Sequence, residues 1–240
     1  MLLVFIDETS DSKFKDYLGF SIATVNARFY PKIKTDALNI LLSIGWDPDI
    51  EFKGSYLFSI SSGCTDIDIE KRIDAANGLL DLNVANENRR MKFFFGDMRS
   101  TNHRHSYLTS LPGLLHKVLP RPPKGAGKNL LILSCDHRED ISQNELHDAM
   151  IPVIFDRGYV LYERVISSDS SFETIGLMFA DLVGYLAGRI DTISNNSELF
   201  EGLTPEQFER NGKIKKLKSS QELIGKIKQL SLLSHGSITD

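Results

Sequence analysis

The sequence predicts a mixed α/β fold, a central sheet with helices packed on it. Three observations predict it. Residues 2–6 and 130–135 are apolar without alternation, as strands buried on both faces are. Residues 17–25 follow the first run after a polar turn and suit its hairpin partner. Beyond that hairpin, strand-like runs alternate with stretches of helical periodicity, so the sheet is mixed and not doubly wound and all-parallel.

The elements follow in order. The first strand ends in Asp7-Glu8-Thr9, and a turn over 10–16 leads to the second. Residues 29–32 read as a short third strand. Ile33, Ala37, Ile40, Leu41 and Ile44 recur at helical spacing, and Gly45 ends that helix. Residues 46–55 read as irregular. A second helix starts after Thr65, with Ile69, Ile73, Ala76, Leu79 and Leu80 along one face. A strand over 91–95 precedes a helix over 103–119 that contains Pro112, and a basic, Pro-rich loop leads into the strand at 130. Ser142 and Glu145 form a capping box opening a helix to about residue 155, which Gly158 stops. A strand over 159–167 and a helix over 172–190, apolar nearly all round and hence central, complete the first 195 residues. Residues 196–240 read as a small, helical, basic extension, with a second capping box at Thr204-Pro-Glu-Gln207. The expected domains are therefore 1–195 and 196–240.

Composition narrows the class. The chain has 240 residues, 41% hydrophobic and 25% charged, which excludes a disordered or fibrous protein and allows one sizeable core. Its apolar runs are too short for a membrane helix, and residues 1–6 lack the basic leader of a signal peptide. Two cysteines, Cys64 and Cys135, make no framework and no C-x-x-C, so a reducing cytoplasm is the expected compartment. A net charge of -4 excludes a uniformly basic nucleic-acid coat but not a nuclease, whose own site needs clustered acids. No G-x-G-x-x-G follows the first strand, and no G-x-S-x-G elbow is present. Gly125-Ala-Gly-Lys128 precedes its strand and lacks a following Ser or Thr, so it is not a phosphate loop. His103 and His105 have no third zinc ligand.

The acids carry the chemistry. The two most apolar strands should be central, and each ends in a carboxylate, Asp7 (with Glu8) and Asp136. Neighbouring strands lie ~4.8 Å apart, so such acids stand side by side and repel unless a proton or a hard cation lies between them. The plainer reading of Asp7 is a strand cap. Asp181 is the one charged residue between 175 and 187, on a mostly buried helix, which calls for a metal or a salt bridge to Arg138 or Lys53. Glu51 and Lys53 lie on one side of an extended Glu51-Phe-Lys53, as a metal ligand beside a phosphate-holding ammonium or as a surface ion pair. Asp136-His137-Arg138 offers a metal ligand, a proton-transfer candidate and a phosphate clamp, or another salt bridge. Four acids from four parts of the chain are what two-metal phosphoryl hydrolysis requires.

At these residues the sequence resembles domain-of-unknown-function family 3800. The resemblance rests on Ile6-Asp7-Glu8-Thr9-Ser10-Asp11, Glu51-Phe-Lys53-Gly-Ser55, Asp136-His-Arg138, Asp169-Ser, and Gly176-Leu-Met-Phe-Ala-Asp181-Leu-Val-Gly-Tyr185, and covers roughly residues 1–190. The family typically begins with Asp-Glu-Ser-Gly and closes with Gln-Leu-Ala-Asp. Here Thr9-Ser10 replaces Ser-Gly, and Met178-Phe179 replaces Gln-Leu, while the acids are kept. The resemblance implies a ribonuclease H-like mixed sheet flanked by helices and a metal-dependent nuclease, of a kind often found near bacterial mobile or defence genes. It implies Asp7, Glu51, Asp136 and Asp181 as metal ligands, with Glu8, Lys53 and Arg138 in support.

The resulting expectation is a divalent-metal-dependent nuclease hydrolysing DNA or RNA with two Mg²⁺ or Mn²⁺ ions. Asp7, Glu51, Asp136, Asp181 and Lys53 form the catalytic set, and Lys53 and Arg138 face phosphate oxygens. Arg121, Lys124 and Lys128 in the Pro-rich loop, and Lys213, Lys215, Lys216 and Lys218 in the tail, would contact nucleic acid; residues 213–228 hold six lysines against one glutamate. Without interleaved aromatics, phosphate contact is all they promise. A solvated helix face is the plain reading of the tail. The partner is nucleic acid and not a membrane, and a homodimer is left open. The rival reading is a non-catalytic nucleic-acid-binding or regulatory module with the same fold. A restriction-endonuclease-like site on Glu51-x-Lys53 would need Glu51 on a central strand, against its Asp47-Pro48 context.

Overall fold

The computed structural model describes residues 1–10, 15–47, 49–58, 66–84, 91–125, 129–171, 173–188 and 236–237. β1 (Leu2–Ser10) and β2 (Tyr17–Asn26) form an antiparallel hairpin, registered from Leu2 opposite Asn26 to Ser10 opposite Leu18. β3 (Met91–Arg99) continues antiparallel on β2. On the other side of β1 lies β4 (Leu130–Asp136), parallel to it, followed by β5 (Val160–Leu161) and β6 (Ile166–Ser168), both parallel to β4. A short β7 (Gly236–Ser237) runs parallel to β3. The strand order is β5-β4-β1-β2-β3-β7, with β6 also on β4. The two most apolar strands are thus neighbours inside the sheet, as their lack of alternation predicts.

Among the described residues six helices cover the sheet: α1 (Tyr30–Ser43), α2 (Gly54–Phe58), α3 (Ile69–Val84), α4 (His103–Val118), α5 (Gln143–Asp156) and α6 (Ile175–Ala187). The period-two alternation of β1 sorts them. Leu3 and Phe5 pack into one core with α1, α3 and α6. Val4 and Ile6 pack into a second core with α4 and α5. This mixed sheet with helices on both faces is the α/β layout that the sequence pattern predicts.

α6 touches β1, β2 and β3 together. It can lie close because Gly176, Ala180 and Gly184 recur every four residues on its sheet-facing side. At Gly176 the approach is so close that a Cβ would overlap the ring of Phe5. Ser21 on β2 donates its hydroxyl to the carbonyl of Ala180, pinning the helix one residue before Asp181.

Several local readings need correction. Residues 30–32 are not a strand: they open α1, where Pro31 fits the first turn because its missing N–H would have had no helical partner there. The strand expected over 159–167 is two short pieces, β5 and β6, separated at 162–165. β3 runs four residues further than expected, to Arg99, and α6 begins only at Ile175. Pro112 sits inside α4 without ending it. The Ser142–Glu145 capping box forms, with both reciprocal bonds made. The helical extension expected over 196–240 lies outside the described residues apart from Gly236–Ser237, which pair as a strand. Among the described residues, no helix is long and apolar enough to cross a membrane.

Candidate active site

Three of the four predicted acids meet at one end of the sheet. The β1–β4 ladder ends with Ile6 beside Cys135. One residue on, Asp7 and Asp136 therefore stand side by side, on the face that carries α6. Asp7 is buried, with 5% of its surface exposed. Asp181 reaches the pair from α6, and its Oδ2 accepts the backbone N–H of Gly54 at 2.7 Å. That bond is short because Gly54 lies directly against α6, at the Leu182 backbone and the Tyr185 side chain.

Glu51 and Lys53 arrive on the segment before α2. Between them Phe52 is fully buried, its ring tilted against that of Trp46 with centroids 5.4 Å apart, and its N–H is bonded to the carbonyl of Ser170 at 3.0 Å. This anchor turns its two charged neighbours outward together. Lys53 Nζ donates to Glu51 Oε1 at 2.6 Å, and its charge acts on Asp7, Asp136 and Asp181 as well. The segment is not a strand, so the central-strand geometry of a restriction-endonuclease-like site is absent here.

The electrostatics follow from burying several acids around one ammonium. Burial, and then the charges of Asp181 and Asp136, push the Asp7 carboxyl well above the ordinary carboxylate range, with Lys53 opposing. Asp136 is raised by burial against the same lysine. Asp181 is raised by burial to about 7, although the Gly54 N–H and Lys53 favour its charged form. Burial works against the charge on Lys53, but Glu51, Asp136 and Asp181 outweigh it and hold the ammonium charged. Asp7 and Asp136 are close enough to share a proton. Asp7 Oδ2 and Asp136 Oδ1 are nonetheless buried with no hydrogen-bond partner.

The remaining predicted residues are placed differently. Glu8 follows Asp7 and so faces the opposite side of the sheet, where it pairs with Arg138. Arg138 also holds Asp140, at 2.8 Å, so its guanidinium is engaged by two protein carboxylates and is not open toward a phosphate. His137 Nδ1 lies 3.1 Å from Ser167 Oγ on β6. Arg121 and Lys124 are exposed and precede β4, and Arg121 lies with Arg157 and Gly158, next to where β5 joins the start of β4 and away from Asp136 at its other end. They do not border the acids. Lys128, Lys213, Lys215, Lys216 and Lys218 lie outside the described residues. Sequence reasoning missed Gly54 and Ser21, which orient Asp181 through a backbone N–H and a helix carbonyl. The glycine directly after Lys53 was the available signal.

As the side chains stand, no group of three or more His, Cys, Asp or Glu residues among those described is arranged to hold a metal ion. Lys53 supplies the positive charge that the acids need, and it draws Glu51 to itself. The donor set nevertheless suits a hard divalent cation. It is all oxygen, and it includes two buried carboxylate oxygens that no protein donor satisfies.

No protein-family model matches the chain, and no curated protein matches it. The ribonuclease H2 of Pyrococcus horikoshii OT3 is a similar solved structure, with a TM-score of 0.43 and 8% identity over 95% of this chain and 100% of that one.

Proposed function

We propose that this chain is a divalent-metal-dependent nuclease that hydrolyses phosphodiester bonds in DNA or RNA, with a role in bacterial defence or mobile-element biology following the family it resembles. One observation carries the reading: Asp7, Asp136 and Asp181, from three separate elements, converge beside Lys53, and two of their buried oxygens lack any partner. Burying like charges together is costly unless the site has a use for a cation. Asp7 and Asp136 would hold Mg²⁺ or Mn²⁺ at its centre, with Asp181 and Glu51 completing the shell. A pair of such ions would supply activation of water and stabilisation of the leaving oxygen. Gly54 keeps one Asp181 oxygen turned to its N–H, which fixes the direction of the other. Glu51 must leave Lys53 to join the acids, and the freed ammonium is then available to a phosphate oxygen of the substrate.

One observation favours a second reading, a non-catalytic nucleic-acid-binding or regulatory module. Lys53 already pairs with Glu51 and offsets part of the charge of the other acids, as a structural ion-pair network would. Two measurements separate the readings. Mn²⁺ raises the melting temperature of the nuclease, because binding to the native state stabilises it, and the Asp181→Asn variant loses that rise. Labelled single- and double-stranded DNA and RNA are cut in Mn²⁺ and spared in chelator. A melting temperature indifferent to Mn²⁺, with all four substrates intact, overturns the nuclease.

A further inference from the structure

The β1–β4 ladder stops at Ile6 and Cys135, one residue short of the two acids that must stay adjacent. When charged, Asp7 and Asp136 repel, and the force acts where β1 and β4 are no longer joined to each other, each held only from its far side, Asp7 opposite Ser21 on β2 and Asp136 opposite Ser168 on β6. Behind them, on the other face of the sheet, β1 and the residues just after β4 are joined by opposite charges. Glu8 is the next residue after Asp7, and Arg138 lies two beyond Asp136. They form an ion pair in which the two side chains are only 22% and 17% exposed. Arg138 is itself fixed from two more sides. Its Nε and Nη2 donate to the two oxygens of Asp140, each at 2.8 Å, and its guanidinium lies 5.1 Å from the ring centre of the buried Tyr107 on α4.

We propose that Glu8 and Arg138 form a clasp between β1 and the residues just after β4 that holds Asp7 and Asp136 at the spacing a divalent cation needs. Arg138 is then a positioning residue and not a phosphate clamp. The purpose of the clasp rests on the metal-dependent reading above; its mechanical role does not. Groups behind metal ligands that orient them in this way typically change metal affinity ~10–100-fold when removed.

The test uses the full-length chain, the Arg138→Met variant, and the double variant Glu8→Gln/Arg138→Met, which leaves no unpaired buried carboxylate at position 8. Amide hydrogen exchange in chelator reads the clasp without any metal. Both variants should lose protection at His137, whose N–H meets the Asp136 carboxyl beyond the end of β4, while keeping it at Leu3, Val4 and Phe5. Calorimetric titration with Mn²⁺ reads its purpose, with affinity expected to fall about tenfold or more in both variants. Wild-type exchange at His137 overturns the clasp, whether or not the wild type binds Mn²⁺. Lost protection with unchanged Mn²⁺ affinity, in a wild type that binds the ion, overturns its purpose. A raised KM for nucleic acid with both other readouts unchanged returns Arg138 to phosphate contact. A wild type that binds no Mn²⁺ sinks the nuclease reading, while the exchange data still decide the clasp.

Discussion

Gly54 donates its backbone N–H to Asp181 Oδ2 at 2.7 Å, across the seam where α2 meets α6. The bond joins the Glu51–Lys53 segment to the helix that carries the third acid, so two distant stretches of chain enter the site as one unit. It depends on the absence of a side chain at position 54. A Cβ there would lie 3.1 Å from both Leu182 Cα and Tyr185 Cβ, and 3.3 Å from the Asp181 carbonyl oxygen. Two of those three neighbours are backbone and cannot step aside cheaply. The Gly54→Ala variant should lose about 1 kcal/mol of stability in urea denaturation. An unchanged midpoint would mean that the seam has slack.

A larger loss is expected at Gly176. Its missing side chain admits the Phe5 ring, which is buried and stacked at 5.3 Å on Tyr30. Gly176→Ala forces helix and strand apart along the whole contact. A loss of about 2–3 kcal/mol, at the upper end for overpacked cores, is the expected result of the same denaturation experiment.

Acid titration should stabilise the metal-free protein through its carboxylates. Asp181 has a folded pKa of about 7, above the ordinary aspartate value. Between those two values the native state binds more protons than the unfolded chain, so the contribution of Asp181 is complete below about pH 4 and is lost as pH rises through about 7. Asp7 and Asp136 are shifted in the same direction. In chelator, the Asp181→Asn variant should therefore exceed the wild type in stability at pH 8, and the difference should shrink toward pH 4. Its amide oxygen can still accept the Gly54 N–H. A variant less stable than wild type at pH 8 would instead make charged Asp181 a structural salt-bridge partner of Lys53.

Removing Lys53 probes the same charges from the other side. The Lys53→Met variant leaves the acids without their ammonium, so in chelator its melting temperature should fall more at pH 8 than at pH 5, where protons can take over. Mn²⁺ should restore part of the loss. A fall that is equal at both pH values would show that Lys53 matters only through its packing.

Much of this molecule is legible from local pattern. Unbroken apolar runs placed β1 and β4 inside the sheet, and period-two alternation separates Asp7 from Glu8 onto opposite faces, because successive strand side chains point opposite ways. A lone acid in an apolar helix marked Asp181, since burying an unpaired charge is costly wherever the fold carries it. Ser142 and Glu145 announced their capping box because its bonds span only three residues. The errors at 29–32 and 159–167 are of the opposite kind. Short apolar stretches suit either a helix turn or a strand, and neighbours from elsewhere in the chain decide which.

Distances between remote residues were beyond any local rule. The partnership of Arg138 with Glu8 and Asp140, in place of a phosphate, depends on which face the end of β4 turns toward. The separation of Arg121 and Lys124 from the acids depends on strand direction: both precede β4, and Asp136 ends it. The seating of α6 on Phe5 through Gly176, and of Gly54 on α6, depends on backbones meeting across more than a hundred residues of chain. Chemistry types and side-chain faces are properties of a few consecutive residues, whereas convergence is a property of packing, and packing exists only once the whole sheet has formed.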